Sequence, residues 1–183
     1  MSKLCGIDEA GRGPIAGDLV MAGCILNAHV EGLNDSKKLS EKKREALYEK
    51  IIVNAEFHIV KFSALDIDEN GISSCLKRGL IEIMNSLKCE EYLFDGNTAF
   101  GVEGLETMIK ADGKIAEVSA ASILAKVTHD RDILKEAQIY PEYQFEKHKG
   151  YGTKLHVEMI KKYGYCKIHR RSYKLKALAE TLF

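Results

Sequence analysis

The strongest constraint on this chain is where its apolar runs stop. Residues 3–8 (KLCGID) read as a short buried strand ending on Asp8 and Glu9, and a glycine-rich loop at 10–17 follows. A second apolar run at 19–26 is placed to fold back on the first as a hairpin. Residues 91–94 read as another brief strand, stopped by Asp95-Gly96-Asn97. Asp112, in Ala111-Asp112-Gly113, precedes a helix that begins small and apolar (SAAS). Loops at strand ends open onto solvent and gather ligands, so acids there are candidates for chemistry.

The remaining pattern predicts an α/β domain. Ser40 is an N-cap candidate for a helix with Leu47, Ile51 and Ile52 on its apolar face. Phe57, Ile59, Phe62 and Ala64 read as a strand, with Val60 breaking the alternation. Apolar residues at 72, 76, 80, 83, 84 and 87 have helical spacing and predict one helix over 67–87. Residues 118–134 predict a further helix, 153–163 another with Gly164 as its stop, and 172–182 a last one. No linker or repeat interrupts the chain, so one domain is expected over 1–183, with a basic helical part at about 144–183.

Composition excludes several classes. Apolar residues make up 45% and charged residues 30%, as in folded soluble proteins. No apolar run reaches the length of a membrane span, and the first residues lack the layout of a secretory signal; a cytoplasmic, membrane-free protein is expected. The five cysteines and six histidines are scattered, with no C-x-x-C or H-x-x-x-H pair. A disulfide framework or a structural zinc site does not fit those spacings. Net charge is zero, yet residues 144–176 hold ten Lys/Arg against two acids, a local +8. Such asymmetry fits a basic surface for phosphates beside a carboxylate-rich region, or equally a solvated helical face.

Carboxylates without a partnering His or Cys favour Mg²⁺ or Mn²⁺. Two such ions could activate a water and stabilise the leaving oxygen of a phosphodiester. Adjacent residues of a regular strand point to opposite faces, so Asp8 and Glu9 share a site only if the backbone twists there. The plain alternatives are that Asp-Gly pairs form turns and that Asp-Glu is surface charge. Gly11-x-Gly13-x-x-x-Gly17 lacks the spacing of a dinucleotide fingerprint. It is better explained as backbone that approaches a ligand, with Arg12 adding charge.

Five blocks together resemble the type 2 ribonucleases H (ribonuclease HII): residues 5–14 (CGIDEAGRGP), 35–40 (DSKKLS), 94–96 (FDG), 119–127 (SAASILAKV) and 148–153 (HKGYGT). They stand in the family's order, and the resemblance covers the chain from about residue 4 to 173. Arg12, where type 3 enzymes usually carry Lys, favours type 2. In place of the Arg-Asp-Arg found in many relatives, this chain has His129-Asp130-Arg131, which leaves position 129 without an inherited role.

The resemblance implies a ribonuclease H-like mixed sheet flanked by helices, with a helical C-terminal part. It implies that Asp8, Glu9, Asp95 and Asp112 hold two catalytic ions, Mn²⁺ or Mg²⁺. It implies that Gly11, Arg12 and Gly13 touch a ribonucleotide 2′-hydroxyl, and that Tyr151 reads the step from RNA to DNA. Lys37 and Lys38 become candidates for phosphate contact. The expected substrates are RNA/DNA hybrids and DNA duplexes containing ribonucleotides. Cleavage is expected by water 5′ to a ribonucleotide, leaving 3′-hydroxyl and 5′-phosphate, in ribonucleotide and RNA primer removal. A monomer is expected. Thr181-Leu182-Phe183 has a slight likeness to sliding-clamp peptides, but Ala179 stands where those have Gln, and helix packing is the expectation. The alternatives are a junction resolvase-like nuclease of the same superfold and a non-catalytic hybrid-binding module.

Overall fold

Residues 19–26 are apolar or small without interruption, and a strand with no polar face must be covered on both sides. In the computed structural model, which describes residues 3–34 and 36–174, that strand, β2 (Leu19–Leu26), is buried along nearly its whole length. It pairs antiparallel with β1 (Leu4–Ala10) and with β3 (Ala55–Phe62). β4 (Glu91–Asp95) lies parallel to β1, and the short, exposed β5 (Glu106–Met108) lies parallel to β4. The strand order is β3-β2-β1-β4-β5, a mixed sheet as expected.

Strand alternation sorts the core into two layers. Cys5, Ile7, Leu19 and Met21 share one cluster with Leu80 and Ile83 of a helix at Ile72–Ser86 (α3). Val20, Ala22 and Cys24 face the other layer, built from α1 (Glu41–Asn54) and α4 (Ala116–Ile139). α1 starts where expected: the Ser40 hydroxyl accepts the Lys43 N–H at 3.3 Å. Its Leu47 and Ile51 are buried, a gain of about 1.5–3 kcal/mol each. α4 lies close to β1 because small residues face the sheet. A Cβ at Gly6 would overlap the backbone of Glu117 and Val118.

Three sequence expectations need correction. The helix predicted over 67–87 is two: α2 (Ala64–Asn70) ends at Gly71, whose φ of 79° an L side chain rarely adopts, and α3 begins beyond it. Ala64 opens α2 rather than closing β3, because the Ser63 hydroxyl caps that helix at the Asp66 N–H. In β3 the residue that broke the alternation, Val60, is buried with Phe62, whereas Phe57 is exposed. β3 carries apolar residues on both faces, Ile59 and Ala55 packing toward the α1/α4 layer.

The C-terminal part forms a third cluster. α5 (Phe145–His148) and α6 (Lys154–Tyr163) pack Phe145 and Ile160 onto Ile133 of α4 and onto Ile15 and Ala16 of the loop after β1. α6 runs between its Thr153 cap and Gly164, as predicted. Residues 172–174 are not helical, and the rest of the predicted last helix, with Thr181-Leu182-Phe183, lies outside the described residues. Among the described residues no helix is long and apolar enough to cross a membrane.

Candidate active site

Parallel pairing of β1 with β4 brings two acids to one sheet end. Ile7 pairs with Phe94, so Asp8 and Asp95, one residue further on, sit level and turn to the same face. Asp112 comes from a one-turn 3₁₀ helix (Ala111–Gly113) directly before α4. The Ser119 hydroxyl of α4 donates to the Asp112 carbonyl, and the Ala111 N–H donates to Asp95 Oδ1 at 3.3 Å. Carboxylate oxygens of Asp8, Asp95 and Asp112 all lie within 4.8 Å of one another.

Glu9 joins them differently from the twist anticipated in the sequence. β1 stays paired through Ala10, so Glu9 leaves the strand on the face opposite Asp8. It nevertheless lines the same cleft, with Lys37, Lys38, Lys110 and the three aspartates. Glu9 Oε1 lies 3.8 Å from Arg12 Nη1. Its Oε2 is buried without a protein hydrogen bond. Four carboxylates, with one buried oxygen of Glu9 left without a hydrogen bond, fit a hard divalent cation.

Burial raises the Asp8 carboxyl well above the usual aspartate range; Glu9 and Asp95 raise it further, and a hydrogen bond from Ser122 opposes them. Burial also raises Glu9, against the pull of the Arg12 guanidinium. Crowded acids with raised pKa values mark a site built for positive charge.

The two lysines are held by a network that the sequence does not reveal. They sit in a 3₁₀ turn (Ser36–Lys38) whose Ser36 hydroxyl bonds that of Ser122 at 2.8 Å. Arg44 Nη1 donates to the carbonyls of Ser36 (2.9 Å) and Leu39 (2.6 Å). Arg44 in turn lies 4.0 Å from Asp130, a buried acid that also pairs with Lys126 at 2.9 Å. His129, where no role was expected, is buried beneath the glycine loop: its ring packs where a Gly11 Cβ would stand, and its Nδ1 meets Asp130 at 3.0 Å.

The glycine loop and Tyr151 are neighbours in space. A Cβ at Gly13 would lie 3.6 Å from Tyr151 Cε1. Tyr151 is 45% exposed, so it is no core aromatic. Its carbonyl accepts from His156 Nδ1 at 2.9 Å. His156 Nε2 meets His169 Nε2 at 3.0 Å, and His169 Nδ1 accepts the Cys166 N–H at 2.9 Å. Those contacts order the tautomers: Nδ1–H on His156 and Nε2–H on His169. Arg170, counted in the sequence toward a basic surface, is instead buried. The ends of this histidine chain are thirteen residues apart, a spacing with no sequence signature.

With this geometry in view, the relatives are informative. The family model described as Ribonuclease HII matches residues 5–176. A ribonuclease HII from Sulfurovum sp. (strain NBC37-1) is 64% identical over 181 residues, covering 98% of this chain and 96% of that one. A structure of the PCNA:RNase HII complex from Archaeoglobus fulgidus contains a chain similar at TM-score 0.82 and 30% identity, covering 95% of this chain and 96% of that one. Bst-RNase HIII in complex with Mn²⁺ shares the fold at TM-score 0.73 and 15% identity, covering 98% of this chain and 70% of that one.

Proposed function

The chain belongs to the ribonuclease HII family and is a type 2 ribonuclease H, and on that premise we propose that it cuts 5′ to ribonucleotides in RNA/DNA hybrids and in duplex DNA. The products are a 3′-hydroxyl and a 5′-phosphate, and the cellular use is removal of embedded ribonucleotides and RNA primers. The observation that carries this reading is the convergence of Asp8, Asp95 and Asp112 within 4.8 Å, in a cleft that Glu9 also lines. These residues would hold two Mg²⁺ or Mn²⁺ ions, which would supply an activated water and stabilisation of the leaving oxygen.

The residues of the chain do the rest. Asp8, Glu9, Asp95 and Asp112 are the ligands, the strands holding Asp8 and Asp95 at one level before any ion arrives. Lys37 and Lys38, on the cleft wall, steer and hold the phosphate backbone. Backbone groups of Gly11, Arg12 and Gly13 read the 2′-hydroxyl, the group that DNA lacks. Tyr151, packed beside Gly13, stacks on the sugar at the step from RNA to DNA.

The test is cleavage of duplex DNA carrying one ribonucleotide, with an all-DNA control. Cutting 5′ to the ribonucleotide and none in the control is the expected result. Equal cutting of both duplexes would favour the resolvase-like alternative, and binding without cutting the hybrid-binding module.

A further inference from the structure

Arg170 is 1% exposed, and its guanidinium is occupied by backbone carbonyls. Nη2 donates to Gly11 O at 2.6 Å and to Gly17 O at 2.8 Å; Nε donates to Gly17 O at 3.0 Å; Nη1 donates to Arg12 O at 3.3 Å. Nη1 also donates to the Tyr173 hydroxyl at 3.2 Å, and that hydroxyl donates to Arg12 O at 2.9 Å. The peptide unit is planar and trans, so a carbonyl turned inward sends the amide of the next residue outward. Fixing the carbonyls of Gly11 and Arg12 therefore fixes the outward N–H groups of Arg12 and Gly13. Gly11 needs such fixing, since its φ of +84° belongs to a region where glycine is otherwise free to move.

The turn that carries Arg170 is itself held from two sides. Asp68 of α2 accepts the N–H groups of Arg171 at 2.8 Å and Ser172 at 2.9 Å. On the other side, His169 reaches through His156 to the Tyr151 carbonyl. One turn thus touches both parts of the ribonucleotide reader.

We propose that Arg170 is a positioning residue for ribose recognition, holding the glycine loop so that the amides of Arg12 and Gly13 present themselves to the 2′-hydroxyl. This rests on the reading of that loop given above. An arginine fork can span three carbonyls, whereas a lysine ammonium is a point donor on a flexible stem.

The test measures kcat/KM on a duplex with one ribonucleotide, together with the Ki of the same duplex made wholly of DNA as competitor. Arg170→Lys should lower kcat/KM about tenfold and leave Ki unchanged, because phosphate contacts are not involved. A merely structural role would lower thermal stability and leave the ratio of the two constants alone, and that result overturns the proposal. Should Arg170→Lys not fold, Tyr173→Phe tests the same loop with the arginine in place. A loss of about threefold at constant Ki is then expected, and wild-type constants overturn the proposal. Gly13→Ala separates the two ideas, since its Cβ meets only ordinary contact in the protein but crowds the ligand side. If Gly13→Ala weakens kcat/KM while Arg170→Lys and Tyr173→Phe do not, Arg170 has no such role. If Gly13→Ala changes nothing, the loop does not read the ribose and both ideas fail.

Discussion

The acid cleft and the C-terminal region, proposed above as the ribonucleotide reader, are built on opposite principles. In the cleft, regular strands and the start of α4 force carboxylates together, and their mutual repulsion is left for cations to relieve. In the reader region, buried His156 and His169 bond each other, and Arg170 and His156 bond backbone carbonyls. On the proposed function, a side chain in the first region therefore costs the empty protein stability and serves chemistry. One in the second stabilises the fold and serves geometry. Function and stability separate in the cleft and travel together in the reader.

The largest effect tests that separation directly. Asp8→Asn and Asp95→Asn should each lower activity about a hundredfold or more, a size typical of a lost catalytic group. Asp8→Asn should also raise the metal-free melting temperature, because the group it replaces is a buried acid among acids. Added Mg²⁺ or Mn²⁺ should stabilise the parent and do so less in either variant. A folded variant that cuts at the parental rate would remove that acid from the catalytic set.

Acid should move the two regions in opposite directions. Burial pushes His156 and His169 down to about 4 from the ordinary histidine value of 6.5. Between those values the unfolded chain binds more protons at these histidines than the folded one. Their contribution is whole above pH 6.5 and falls as pH drops toward 4. Asp8 has the reverse sign: its raised carboxyl takes up a proton in the folded state first, so acid stabilises there. Melting curves of the metal-free protein from pH 7 to 4 should thus fall more steeply for Asp8→Asn than for the parent. Parallel curves would contradict the comparison.

Gly6→Ala asks whether the cleft has a structural footing of its own. The added methyl drives α4 off β1 and should cost about 1–3 kcal/mol. Because Ser119 and Ser122 ride on α4, activity should fall with stability, whereas in Asp8→Asn the two move in opposite directions. A thermal melt with a paired rate measurement decides it. Tyr151→Phe is the smallest change: if the hydroxyl bonds the nucleic acid at the RNA-to-DNA step, its loss removes one hydrogen bond, about 0.5–1.5 kcal/mol, hence a severalfold loss. Tyr151→Ala removes the stacking surface as well and should do worse, most of all on a single embedded ribonucleotide. Wild-type rates for Tyr151→Ala on that substrate would leave the tyrosine without a role.

Much of this was legible in the chain, for reasons that differ by residue. β1, β2 and β4 could be located because strands buried on both faces are written as unbroken apolar runs. Ser40 and the Thr153–Gly164 bounds of α6 showed because caps are local chemistry. β3 misled because an apolar residue on each face mimics a broken alternation. The break at Gly71 was hidden because apolar spacing continues across it, while the turn rests on one positive φ.

Residue types and their order along the chain were enough to specify an α/β architecture, acids at strand ends, a glycine loop and a family. These depend on local propensity, periodicity and short motifs, which neighbouring residues settle among themselves. Which acids meet, and on which face, was decided by parallel register between β1 and β4, a long-range pairing that no local pattern encodes. The same holds for Arg170. Its sequence context is a run of cations, and only the packing of the C-terminal turn against the loop after β1 removed it from water and gave it carbonyls to bind. A charge that is costly to bury needs partners, and those partners lie about 155 residues earlier in the chain.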